Sequence, residues 1–189
     1  MKKYNNILNF YKEYIKLEEV IRKGWIMCNV PANRLESVAD HTLQLIMLSS
    51  IITKELNIKL DLEKLMEMLL IHDLGEIIIG DISEVEENRN QKKEKESATI
   101  KNIFNNLDQE SAQYYYSLWE EMENQNTELA KFAYLLDKID AVIKAGVYEE
   151  ELDINNLFKE FSELQSQRKT FENTIFEEFF QFIKIKFKN

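Results

Sequence analysis

Four glycines and one proline in 189 residues leave this chain few means of making tight turns. An average protein carries about 7% Gly and about 5% Pro, and a sheet protein of this length draws on both to reverse its strands. The scarcity predicts an all-α fold, helices joined by a few loops. Apolar residues recur at helical spacing along the chain. Ile7, Phe10, Tyr14, Leu17 and Ile21 predict a first helix of about five turns that stops at Gly24, where a left-handed residue costs little. Residues 25–35, which hold Pro31, read as a loop. A second helix is expected over 37–56 and a third after Asp61, a plausible N-cap. Further helices are expected at about 94–107, 109–124, 127–148, 155–166 and 171–186. Ile77-Ile78-Ile79 has strand propensity, yet it is too short to pair and lies between Gly75 and Gly80, so a short buried helix or turn is expected. The charged run 84–96 reads as a solvated loop or helix start. No break in composition divides residues 1–189, which are expected to form a single domain.

Lys and Arg number 24 against 34 Asp and Glu, a net charge of −10. An acidic surface repels polyphosphate, so a nucleic-acid polymer is not an expected partner. A small phosphate is compatible if a metal ion or a local arginine overrides the field. Cys28 is the single cysteine and cannot form an internal disulfide, which suits a reducing compartment. The N-terminus shows no apolar leader, and no stretch approaches the ~20 apolar residues of a membrane span. A soluble, cytoplasmic protein with no membrane partner is expected.

The chemistry is concentrated in few residues. His41 and His72 are the two histidines, and each adjoins an aspartate, in Asp40-His41 and His72-Asp73. Asp137 and Asp140 follow in Leu136-Asp137-Lys138-Ile139-Asp140, where apolar neighbours press at least one carboxylate against the core. A buried carboxylate demands a partner, and imidazole with carboxylate suits a divalent transition metal. Glu76 lies one turn after His72 and faces the same way. Asp81 follows Gly80, whose bare backbone allows close approach to a ligand. On one helix, His72 and Asp73 would point about 100° apart and converge only where the helix meets a site edge-on. Spacing alone leaves two readings, a metal site or a hydrogen-bonded core network.

Glu36-Ser37-Val38-Ala39-Asp40-His41, His72-Asp73-Leu74-Gly75-Glu76, Gly80-Asp81-Ile82 and Leu136-Asp137 occur in an order that resembles the H…HD…D signature of the HD-domain metal-dependent phosphohydrolases, in particular their 5′-deoxynucleotidase branch. Gly24-Trp25 with Asn29-Val30, Leu118-Trp119-Glu120-Glu121 and Ala130-Lys131-Phe132 fit that branch too. The resemblance covers residues 21–150, and the aromatic 151–189 segment is left to packing or dimerisation. It implies a helical bundle around one divalent ion (manganese, cobalt, iron, magnesium or zinc) held by His41, His72, Asp73 and Asp137. Glu76 and Asp81 match the family's catalytic carboxylates. Trp25 matches a tryptophan that shapes the substrate pocket, lying against sugar or base, and the phosphate-holding arginine is either Arg22 or Arg34. A short insertion falls at residues 31–33 of that loop. Asp140 is left out of the implied site.

The implied activity is hydrolysis of deoxyribonucleoside 5′-monophosphates, by a homodimer. The alternatives are another small nucleotide, cyclic or triphosphate, or a metal-bound regulatory module without catalysis. Glu76 and Asp81 argue against the module, which has no need of carboxylates that are not ligands.

Overall fold

The computed structural model describes residues 1–81, 89–152 and 154–187, and every regular element among them is helical. Helix α1 (Lys2–Tyr14) buries none of its residues, and the chain then tightens into a 3₁₀ turn at Ile15–Glu19 that sets Leu17 in the core. The first helix is therefore shorter than its apolar spacing predicts. Residues 20–22 leave it because their backbone pairs elsewhere: Val38 N–H donates to the Val20 carbonyl at 2.7 Å and Arg22 N–H to the Glu36 carbonyl at 3.0 Å. Ile21 and Ser37 form an isolated antiparallel bridge. Gly24 ends no helix; it lies inside the short α2 (Lys23–Met27), and a second 3₁₀ turn, Ala32–Arg34, interrupts the expected loop.

Helix α3 (Val38–Glu55) starts on a capping box in which the Ser37 hydroxyl accepts from Asp40 N–H and the Asp40 carboxylate accepts from Ser37 N–H. Helix α4 (Leu62–Ile71) is capped by Asp61, which accepts from Lys64 N–H at 3.1 Å. The three isoleucines fall in a single turn, α5 (Glu76–Ile79). It ends at Gly80 with φ 76°, where an added Cβ would meet nothing within 4 Å. Glycine is needed there for its left-handed backbone, which redirects the chain into Asp81, and not for the close approach its lack of a side chain allows. Residues 82–88, with Ile82 and the start of the charged run, lie outside the described residues. Helices α6 (Arg89–Phe104), α7 (Gln109–Asn124), α8 (Glu128–Leu152), α9 (Leu157–Gln167) and α10 (Glu177–Lys186) complete the chain. The last begins late because 171–176 form turns that bury Phe171 and Phe176.

Helix α8 is the centre of the assembly, packed against α3, α4, α7 and α9. Leu45, Leu65, Leu69, Trp119, Leu136 and Ile139 belong to the main core, and a smaller cluster joins Trp25, Val30, Ala145, Tyr148 and Leu157. Among the described residues no helix is long and apolar enough to cross a membrane. Gly146 lets the chain's end lie against α8: a Cβ there would sit 2.6 Å from the Phe187 ring, which also packs on Phe158. Gly146→Val is expected to cost about 1–3 kcal/mol through overpacking, read as a lower urea midpoint with an unchanged slope.

Candidate metal and phosphate site

Helix α4 ends at Ile71, and that end resolves how adjacent residues face one point. His72 is the C-cap, residues 72–75 form turns, and His72 Nε2 lies 3.1 Å from Asp73 Oδ2. Trp119 Nε1–H donates to the His72 carbonyl at 3.2 Å and holds the turn. His72 Nδ1 is 2.7 Å from the Leu69 carbonyl oxygen. A carbonyl only accepts, so Nδ1 carries the hydrogen and Nε2 presents its lone pair. That buried Nε2 has no hydrogen-bond partner. A lone pair beside an ionised carboxylate is the arrangement of two ligands sharing a cation. The donor set therefore fits a divalent metal.

From α3 comes His41, 0% exposed, with its ring between two aspartates of α8. Nε2 is 3.1 Å from Asp137 Oδ1 and Nδ1 is 3.0 Å from Asp140 Oδ2. Three residues apart, the aspartates share a face of α8. The two imidazole centroids are 5.6 Å apart, and ligand atoms of His41, His72 and Asp73 all lie within 4.8 Å of one another. Asp137 joins this group through His41. Burial and the charge of Arg22 push the His41 pKa down, but hydrogen bonds to Asp137 and Asp140 and the Asp137 charge outweigh them and raise it to about 9. Burial alone would raise Asp73 and Asp137. His72, Arg22 and His41 instead hold Asp73 well below the usual carboxylate range, and Lys138, His41 and Arg22 do so for Asp137.

The strap at residues 20–22 brings Arg22 to the cluster, with Nη1 3.2 Å from Asp73 Oδ2. Burial opposes its charge, and Asp73, Asp137, Asp81 and Glu76 together more than restore it. Glu76 opens α5 and is 1% exposed. Asp81 Oδ2 accepts from Lys23 N–H at 2.6 Å, closing onto the residue beside Arg22. Lys138 Nζ lies 2.8 Å from the outer oxygen of Asp137. Arg34 turns away and pairs with Glu151 at the surface. Trp25 is buried, its ring stacked on Phe161 at 4.9 Å and edge-on to Tyr148 at 5.2 Å, while Nε1–H donates to Glu36 Oε1 at 2.7 Å. Burial and Glu160 push the Cys28 thiol up, away from thiolate chemistry. Asp140 is the site neighbour that sequence reasoning set aside; its spacing from Asp137 was the available signal.

Residues 15–179 match the HD-domain family. The chain is 34% identical over 147 residues to the 5′-deoxynucleotidase HDDC2 of Danio rerio, covering 77% of this chain and 71% of that protein. It is 30% identical over 179 residues to the 5′-deoxynucleotidase HDDC2 of Dictyostelium discoideum, covering 91% and 93%. A conserved hypothetical protein from Pyrococcus furiosus shares the fold with a TM-score of 0.70 at 27% identity, over 96% of this chain and 98% of that one. The family match extends to residue 179, beyond the residues 21–150 that carry the motifs.

Proposed function

The chain belongs to the HD-domain family and is a metal-dependent nucleotide phosphohydrolase, and we propose that it hydrolyses deoxyribonucleoside 5′-monophosphates to deoxynucleosides and inorganic phosphate. The observation that carries this is the buried His72 Nε2 beside Asp73, with Arg22 on the same carboxylate oxygen. It joins a cation site to a phosphate-binding cation at its rim. The substrate class is the one for which the curated relatives are named.

His41, His72, Asp73 and Asp137 would hold one divalent ion, and their nitrogen and oxygen donors admit manganese, cobalt, iron, magnesium or zinc. When bound, the ion supplies Lewis acidity to the phosphoryl group and to water. Arg22 holds phosphate oxygens through forked, charge-assisted hydrogen bonds. Glu76 moves a proton at the scissile oxygen. Asp81 orients the attacking water with Oδ1, its other oxygen being held by Lys23 N–H. A Trp25 ring that is 2% exposed has no face for a sugar. Its burial and its bond to Glu36 support a role as anchor of the strap that carries Arg22, in place of contact with the nucleotide.

Protein stripped of metal and reloaded with one cation at a time should release phosphate fastest from deoxyribonucleoside 5′-monophosphates. Faster release from cyclic nucleotides or triphosphates would replace the substrate class, and no release with any cation would favour the regulatory module. Within the same assay, Arg22→Ala is expected to lower kcat/KM about ten- to hundredfold, the loss of a hydrogen bond to a charged group. Arg34→Ala, whose partner is Glu151, should leave kcat/KM near the wild-type value.

A further inference from the structure

We infer that Asp140 is a positioning residue of the cation site: its carboxylate holds His41 in the tautomer and orientation that present Nε2 to the ion. Asp140 is 7% exposed, and its Oδ2 lies 3.0 Å from His41 Nδ1. A carboxylate only accepts, so this contact keeps a hydrogen on Nδ1, and Nε2, which faces Asp137 at 3.1 Å, is the nitrogen left to give its lone pair to a bound cation. His72 reaches the same state by a different device, with Nδ1 on the Leu69 carbonyl oxygen and Nε2 turned to Asp73. Both histidines therefore have the far nitrogen pinned, and the near nitrogen of each faces a carboxylate with which it would share the cation, Asp137 Oδ1 at 3.1 Å for His41 and Asp73 Oδ2 at 3.1 Å for His72. Asp137, whose charge acts on Arg22, marks the edge of the His41 ring that faces the cluster, and Asp140 takes the opposite edge. Helix α8 thus supplies a ligand and the group that aims its neighbour, from positions three residues apart.

The simpler role for such a contact is a hydrogen bond that joins α3 to α8 and contributes stability alone. The two roles part experimentally. A carboxylate on the distal nitrogen also raises the basicity of the ligand, and losing such a partner costs about 10–100-fold in metal affinity. A bond that merely joins helices changes the unfolding midpoint and leaves metal affinity alone.

The inference rests on His41 as a ligand, so the experiment carries a control for that. Cobalt(II) is titrated into metal-stripped wild type, Asp140→Asn and His41→Ala, following the visible absorption of the bound ion and the thermal midpoint of the cation-free proteins. Asp140→Asn is expected to bind cobalt about 10–100-fold more weakly, with a shifted absorption band and a midpoint near the wild-type value. Wild-type cobalt affinity and absorption in Asp140→Asn, with binding lost in His41→Ala, would overturn the inference and leave the site standing. Unchanged binding in both variants would remove His41 from the site. Should Asp140→Asn not fold, imidazole ¹⁵N spectra of the zinc-loaded wild type decide: hydrogen on Nδ1 of His41 supports the inference, and hydrogen on Nε2 overturns it.

Discussion

Glu76→Gln is expected to bind a divalent cation as tightly as the wild type and to turn over about 10²- to 10⁴-fold more slowly, the usual contribution of general acid–base catalysis. Glu76 opens α5 on the far side of the turn that presents His72 and Asp73, and it is 1% exposed. Its carboxylate is not among the atoms that gather within 4.8 Å around His41, His72 and Asp73. It adds to the field that keeps Arg22 charged, which puts it within electrostatic reach of the group that would hold the phosphate. Glutamine keeps the shape and the capacity to hydrogen-bond but cannot exchange a proton at neutral pH. A fall in kcat at constant cation affinity therefore isolates the proton transfer. Loss of the cation in Glu76→Gln would make Glu76 a ligand and leave the proton-transfer role without a residue.

What the sequence reveals and what it hides divide along the range of the interactions. Ser37 before α3 and Asp61 before α4 are local caps, set by residues three positions away, and both are readable from the chain. The end of α1 is not. Leu17 and Ile21 continue the helical spacing, and only the pairing of Val20 and Arg22 with Val38 and Glu36 pulls them out of it. The same distinction separates the arginines. Arg22 and Arg34 both precede His41, and what distinguishes them is an ion-pair partner, Asp73 for one and Glu151 for the other, more than fifty residues further on. Trp25 is a recognisable motif residue whose surroundings, Phe161 and Tyr148, come from helices far along the chain. The adjacency of His72 and Asp73 conflicts with a helical reading until α4 stops at Ile71. Nothing in the sequence marks that stop: no proline follows, and Gly75 comes three residues after the C-cap.

The other large effect is expected at His72. In His72→Ala the cation content measured by elemental analysis should fall well below the wild type, and affinity should drop by more than the roughly 100-fold that loss of a supporting hydrogen bond costs. Phosphate release should fall to the level of the metal-stripped protein. The reason lies in what remains. Asp73 keeps Arg22 at 3.2 Å as its counter-charge, so the carboxylate is not stranded when the imidazole is removed. The carbonyl of residue 72 that Trp119 holds belongs to the backbone and survives the truncation. The variant should therefore fold, and the lost cation would report coordination and not collapse. A thermal scan gives the independent check. A ligand at a hundred times its dissociation constant stabilises a folded protein by ~2.7 kcal/mol, so added cation should raise the wild-type midpoint and leave that of His72→Ala where it was. Undiminished occupancy in His72→Ala would return His72 and Asp73 to a hydrogen-bonded core pair, and a phosphate site organised by Arg22 alone would have no cation to complete it.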